Sequence, residues 1–308
     1  MRVLVTGAAG FLGKHVSRHA ADLGCEVAGL GGAELSLEEQ SRLGLAWHRP
    51  AMIDENALRS LPFRPDIVVH CAGGASVGAS VSNPELDWRK TVGATNLVVA
   101  YLVKHAPDAR LVYPSSGAVY GAAADALPRD LSGITAPLSP YGWHKAQAET
   151  VIRNAASEQG LKVCIVRLFS IFGTGLRKQL LWDACQRFVT GHAVFDGNGS
   201  ERRDFLHIDD AVRLLWLGAS QASAKSPTAD GGSGKGTPVA DLLTRLAANF
   251  DPRPIVQFSG TQRTGDPIDM IADIRAARNW GWRPEVELDQ GLAVYADWFS
   301  SVYEILRS

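Results

Sequence analysis

Residues 2–16 read RVLVTGAAGFLGKHV: a short apolar run, then Gly7, Gly10 and Gly13 spaced three apart, then a helical pattern that continues to about residue 24. Glycines at a strand-to-helix turn let the backbone bend tightly and come close to a pyrophosphate, whose charge the free amides of the helix can meet. Further apolar runs follow at "CEVAGL" (25–30), "PDIVVHCAG" (65–73), "ARLVYPSS" (109–116) and "KVCIVRLF" (162–169), with amphipathic stretches such as "NPELDWRKTVGATNLVVAYLVKHA" (83–106) between them. Strand and helix alternating at this spacing predict an α/β fold, a Rossmann-type doubly wound parallel sheet with ligands at the carboxyl ends of its strands.

Past residue 170 the alternation loosens into helical patterns at 177–191, 207–220 and 238–250. The expected organisation is a dinucleotide-binding domain over 1–169 and a smaller, mainly helical substrate-binding region over 170–308, the two interleaved. The biased segment "SAKSPTADGGSGKGTP" (223–238) reads as a surface loop. Its "GSGKGT" is not a nucleotide triphosphate loop, because Ala229 stands where the first glycine of that motif belongs and Gly236 follows the lysine in place of a hydroxyl residue.

With 31 basic against 32 acidic residues, the chain has no general attraction to nucleic acid or to an anionic membrane, so any anionic ligand must be held locally. No apolar run approaches the ~18 residues of a membrane span, and Met1-Arg2 leads straight into the first strand, so a cytoplasmic location is expected. Cys25, Cys71, Cys164 and Cys185 lack metal-ligand or disulfide spacing and read as reduced core residues; no metal is expected.

Tyr141 and Lys145, in "SPYGWHKAQAETVIRNAA" (139–156), lie one helical turn apart and can face one site. A free phenol titrates near ~10, and bringing it to neutrality takes ~4 kcal/mol of preferential stabilisation of the phenolate. A neighbouring ammonium together with an oxidised nicotinamide ring could supply this. A tyrosine and lysine at this spacing are common by accident. The third element is "VYPSSGAVYG" (112–121), a strand that delivers Ser115 and Ser116 to the ligand edge, where a hydroxyl can bond a substrate oxygen while the phenol exchanges its proton.

In this order, TGxxGxxG, a Ser-Ser strand end and SPYxxxK resemble the extended short-chain dehydrogenase/reductase family, in its group of NAD-dependent sugar-nucleotide epimerases and dehydratases. "HCAG" (70–73), "GNGSERRDFLHIDDAV" (197–212), "RTGDP" (263–267) and "ADIRAARNWGWRP" (272–284) carry the resemblance along nearly the whole chain. It implies Tyr141 as general base, Lys145 as the group that binds the nicotinamide ribose and lowers the tyrosine's pKa, and Ser116 as the second hydroxyl, with Ser115 the alternative. The implied cofactor is NAD, with NADP left open, held by Gly7, Gly10, Phe11, Leu12, Gly13, Ala72, Tyr141 and Lys145. A nucleotide-sugar partner would meet Ser116, Arg203 and Arg263, guanidinium groups being suited to diphosphate; the other reading of each arginine is a surface charge or, for Arg203, an ion pair with Asp204. Apart from the resemblance, Arg177 and Lys178 in "GLRKQLLWDACQRF" (175–188) could reach substrate phosphates or the sugar. Relatives are commonly homodimers through two long helices, here about 85–105 and 141–159.

Several positions depart from the family pattern. Lys90 and Ala94 replace the first asparagine and the threonine of NxxGTxN, Ser170 replaces an asparagine, Gly31 replaces the acid that ends the second strand, and Ala51 replaces an adenine-contacting aspartate, leaving Asp54. Gly117 and Ala118 occupy the places of the Asp-Glu pair that 4,6-dehydratases use to eliminate water, which disfavours dehydration. A 4-epimerase and a 4-keto sugar-nucleotide reductase remain, beside a non-catalytic dinucleotide sensor.

Overall fold

Side chains alternate across every central strand, and the sheet is buried on both faces in consequence. In β1 (Arg2–Thr6), Val3 and Val5 pack into one apolar layer and Leu4 into the other. The computed structural model describes residues 1–121, 131, 135–260 and 269–307. Seven parallel strands form the main sheet: β1, β2 (Glu26–Leu30), β3 (Leu45–Arg49), β4 (Ile67–His70), β5 (Arg110–Ser116), β6 (Lys162–Leu168) and β7 (Thr228–Gly231). Their order across the sheet is β3-β2-β1-β4-β5-β6-β7. The order reverses between β1 and β4, which opens a crevice at their carboxyl ends.

Helices α1 (Phe11–Asp22) and α6 (Ile208–Gln221) cover one face through Val16, Ala20, Ala211 and Leu215. On the other face lie α3 (Ala94–His105) and α4 (Pro140–Gln159), through Val98, Leu102, Ala148 and Ile152. A separate apolar cluster joins α5 (Gln179–Val189), α7 (Val239–Ala247) and α8 (Leu288–Arg307) through Leu181, Phe188, Leu243, Leu246, Tyr295 and Phe299. The proposed division at residue 169 is interleaved in space, since α6 and β7 return from the second half to complete the sheet.

Two local expectations change. The segment 223–238 is not simply a surface loop: residues 228–231 form the edge strand, with Ala229 and Asp230 fully buried. The glycine-rich turn after it folds around the buried Asp204, whose carboxylate accepts from the amides of Ser233 (2.6 Å) and Gly234 (2.8 Å). The turn's amides are thus satisfied from within the protein, in keeping with a sequence that lacks the triphosphate-loop motif. The helical pattern over 83–106 is likewise interrupted. Asn83 caps α2 (Pro84–Trp88), a wide π turn follows at Arg89–Gly93, and α3 begins at Ala94. Such a turn holds one extra residue, often at functional sites; here Arg89 and Lys90 line the crevice.

Candidate active site

The crevice holds a cavity of about 860 Å³ bounded by the glycine turn, the end of β2, the loop after β4, the end of β5 and the start of α4. Gly7, Gly10, Phe11, Leu12, Gly13, Ala72, Ser116, Tyr141, Lys145 and Arg203 all line it. Arg177 does not: it is exposed, and its neighbour Lys178 faces the cavity instead. Arg263 lies outside the described residues.

The glycine turn fits a dinucleotide for steric reasons. Gly7 has φ +67°, and a Cβ there would come 2.8 Å from the Ala72 amide nitrogen; a Cβ on Gly13 would come 2.2 Å from the Gly7 carbonyl oxygen. Gly10 caps α1 without any side-chain bond to its amides, so the first turn presents N–H groups to the cavity. At the end of β2, Gly31 and Gly32 take φ +88° and +91° and carry no acid. Asp54 is no substitute, because its carboxylate caps the short helix 55–59 by accepting from the Ala57 amide at 2.7 Å.

The loop after β4 is held by a buried hydrogen-bond chain whose proton order can be deduced. Thr95 donates its single hydroxyl proton to the Thr91 carbonyl (2.6 Å), so it can only accept from His70 Nε2 (3.1 Å). His70 is therefore the Nε2–H tautomer, and Nδ1 accepts from the Thr6 hydroxyl at 2.6 Å. Thr6 in turn accepts from the Ala72 amide at 3.2 Å. Burial pushes His70 down to about 3, so it stays neutral and the chain is complete at physiological pH. Beside it, burial pushes the Cys71 thiol up to about 12, which removes it as a nucleophile.

Helix α4 starts with Ser139 as cap and Pro140 in its first turn, which places Tyr141 at the cavity. Gly142 is needed there, since a Cβ would meet the Ala118 carbonyl at 2.6 Å. This close approach brings Tyr141 to Ser116. The Ser116 oxygen accepts from the Ala118 amide (3.2 Å), and its hydroxyl shares a hydrogen bond with the Tyr141 phenol. Ser115 is committed elsewhere, donating to the buried Glu149 at 2.6 Å. The structure thus brings Ser116, Tyr141 and Lys145 together, and commits the hydroxyl of Ser115, which also lines the cavity, to Glu149.

Lys145 donates to the Pro114 carbonyl (2.9 Å) and lies over the Tyr113 ring, 4.8 Å from its centre. Burial brings its ammonium down to about 8, against the opposing charges of Cys71, Asp87 and Glu149. Tyr141 is shifted the opposite way from the expectation. Burial raises the phenol, the Ser116 bond partly offsets this, and Asp87 raises it further. Asp87, held by His144 at 2.6 Å, is a residue the sequence reading missed. An aspartate in a helical run carries no signal of its own, and only the packing of α2 on α4 places it here.

Among the described residues no carboxylate lines this cavity, while Arg89, Lys90, Lys145, Lys178 and Arg203 all do. Gly117 cannot take a larger residue without movement, because its Cβ would sit 3.0 Å from the Phe169 ring. A second cavity of about 570 Å³ adjoins the first through Ser170, Ile171, Leu176, Gln179 and Arg203 and extends to Phe195 and Asn198. Arg203 faces both, donating to the Arg202 carbonyl; its neighbour Asp204 is instead engaged by the 233–234 amides.

The sequence profile of the NAD dependent epimerase/dehydratase family matches residues 3–229. The UDP-glucose 4-epimerase of Thermotoga maritima, solved with UDP-glucose, superposes with a TM-score of 0.89 at 26% identity, over 98% of this chain and 100% of that one. The Thermus thermophilus UDP-glucose 4-epimerase in complex with NAD gives 0.87 at 25% identity, over 97% and 99%. The GDP-6-deoxy-D-mannose reductase of Pseudomonas aeruginosa is 28% identical over 98% of this chain and 99% of its own length. No described helix is long and apolar enough to cross a membrane.

Proposed function

The chain belongs to the NAD dependent epimerase/dehydratase family, and within it we propose a sugar-nucleotide 4-epimerase that uses NAD and keeps it through the catalytic cycle. The observation that carries this reading is the Ser116–Tyr141–Lys145 group on a cavity without a described carboxylate. Proton exchange at one hydroxyl needs the phenol and the serine, whereas elimination of water needs a further acid and base. Gly117 and Ala118 supply neither.

Bound NAD would supply a two-electron acceptor and donor for the sugar's C4 and a positive charge beside the phenol. That charge opposes the effect of burial on Tyr141, which the unliganded chain leaves protonated at neutral pH. Once bound NAD has favoured release of the phenol's own proton to solvent, Tyr141 as phenolate takes the proton of the C4 hydroxyl, and Ser116 bonds the same oxygen as its charge develops. Lys145, fixed by Pro114, holds the nicotinamide ribose. Arg203 at the junction of the two cavities holds the substrate diphosphate, with the nucleotide in the second cavity. After C4 becomes a ketone, the sugar turns about its diphosphate link, is reduced on its opposite face, and recovers its proton from Tyr141.

Denaturing the freshly purified protein and weighing what it releases tests this. Near-stoichiometric NAD, followed by interconversion of UDP-glucose and UDP-galactose or of another 4-epimeric pair, is the expected result. An empty protein that instead consumes NADH or NADPH with a 4-keto nucleotide sugar would replace it with the reductase reading, which the similarity to the Pseudomonas reductase favours.

The assembly we propose is a homodimer through α3 and α4. Trp88 and Trp143 are 42% and 53% exposed beside these helices, more than large aromatic residues usually are in a monomer. Light scattering at micromolar concentration should give twice 33.0 kDa; a single-chain mass would exclude the dimer.

A further inference from the structure

Three cations open onto the dinucleotide cavity without a task in the chemistry above: Arg89, Lys90 and Lys178. Among the described residues none of them makes an ion pair or a side-chain hydrogen bond. Lys178 is exposed to solvent at the cavity wall, where partial desolvation lowers its ammonium and no acidic group opposes that shift. A lysine at a cavity wall without a counter-charge beside it is suited to an anion that arrives with a ligand.

Their places in the fold indicate which anion. Arg89 and Lys90 sit on the π turn, which Thr91 ties to the loop after β4 by accepting from the Gly74 amide at 2.8 Å. That loop lies against Gly7. Lys178 ends a segment packed on the first turns of α1, where His15 Nε2 meets the Thr174 carbonyl at 3.0 Å, and Tyr295 donates to the Leu176 carbonyl at 2.7 Å. The positive groups therefore flank the glycine turn from two sides. At the adenosine end the opposite holds. Gly31 and Gly32 carry no side chain, a Cβ on Gly32 would press on Ala9 at 2.8 Å, and Pro50, Ala51, Met52 and Ile53 are uncharged. An acid there would bond the ribose hydroxyls and repel a 2′-phosphate.

We propose that Lys178 on one side and Arg89 with Lys90 on the other clamp the diphosphate of the cofactor, and that this clamp takes over the anchoring role of the missing ribose-binding acid. The inference rests on the dinucleotide reading of the cavity and not on the reaction. Affinity should depend on ionic strength and be nearly indifferent to a 2′-phosphate. The other diphosphate that could use these cations is that of the nucleotide sugar.

The test is fluorescence titration of the full-length protein, stripped of bound dinucleotide, with NADH, NADPH and UDP at low and at physiological ionic strength. Replacing Arg89 and Lys90 together by Gln, or Lys178 by Gln, should weaken NADH binding about tenfold in each case and change UDP binding by less than about twofold. Both variants should show a shallower salt dependence than the parent, and NADPH should bind the parent within about fivefold of NADH. These side chains are exposed, so circular dichroism and melting should match the parent. Unchanged NADH binding in both variants, a loss confined to UDP, or NADPH weaker by more than about fiftyfold would overturn the proposal. Absence of epimerase activity would leave these titrations unaffected, so the two readings fail separately.

Discussion

Replacing Tyr141 by Phe should lower turnover of the 4-epimeric sugar pair about 10³-fold or more, with NADH binding changed by less than about twofold. The phenyl ring fills the same buried place at the start of α4, so the loss isolates the hydroxyl that Ser116 bonds. Ser116→Ala should follow with a loss of about 10²-fold in kcat, since it removes one donor to the reacting oxygen. Ser115→Ala, a change one residue away, should keep turnover within about threefold, because that hydroxyl serves Glu149 and not the cavity. Steady-state kinetics on the three variants, with cofactor titration beside them, check the set. Equal losses at Ser115 and Ser116 would sink the assignment, and a Tyr141→Phe enzyme of parental turnover would sink the mechanism.

Replacing Arg167 by Met should cost about 3–5 kcal/mol of stability, the largest effect expected of any single change away from the glycine turn. Arg167 is 2% exposed and grips Glu149 through two bonds, of 2.9 and 2.7 Å, while also donating to Tyr120 at 3.0 Å. Tyr120 donates to the buried Asp230 at 2.6 Å, and Ser115 donates to Glu149, so one network joins β5, α4, β6 and β7 beneath the active site. Without the guanidinium, Glu149 would lose its two-bond partner and keep the longer ion pair with Arg153, at 3.6 Å, and the Ser115 hydroxyl, while Tyr120 and Asp230 would lose the neighbouring positive charge. Urea unfolding followed by tryptophan fluorescence measures the loss. The double variant Arg167→Met with Glu149→Leu should recover much of it, because removing both charges removes the burial cost that one alone leaves uncompensated. A drop of less than about 1 kcal/mol in the single variant would show that the network adds nothing net.

Legibility in the sequence followed the range of the interaction. The glycine turn and the doubly wound parallel sheet rest on local pattern, and the structure has both; Tyr141 and Lys145 line one cavity, as one helical turn of spacing allows. The sequence reading names Arg177 for the substrate, and nothing local separates it from Lys178; the path of the 173–178 segment over α1 puts Lys178 in the cavity. The π turn was hidden because the amphipathic pattern runs through 83–106 without a break, and it is the packing of Thr91 and Thr95 against Gly74 and His70 that accompanies the widened turn. Tyr141 shows the limit most clearly. Spacing put a lysine next to the phenol, but spacing carries no information about desolvation, and burial moves the phenol away from the base proposed for it.

The sequence by itself determined the α/β sheet, the dinucleotide turn and the residue types at the catalytic positions, because these depend on side-chain periodicity and on where a Cβ is forbidden. Tertiary structure alone decided which serine hydroxyl is taken by Glu149, which cations line the cavity, and that Asp204 fills the glycine-rich turn at 231–235. Each of these is a competition among partners distant in sequence: Ser115 with Glu149, Lys178 with α1, Asp204 with Ser233. Hydrogen bonds and burial settle such competitions at contact distance, and contact between remote residues exists only once the chain has folded.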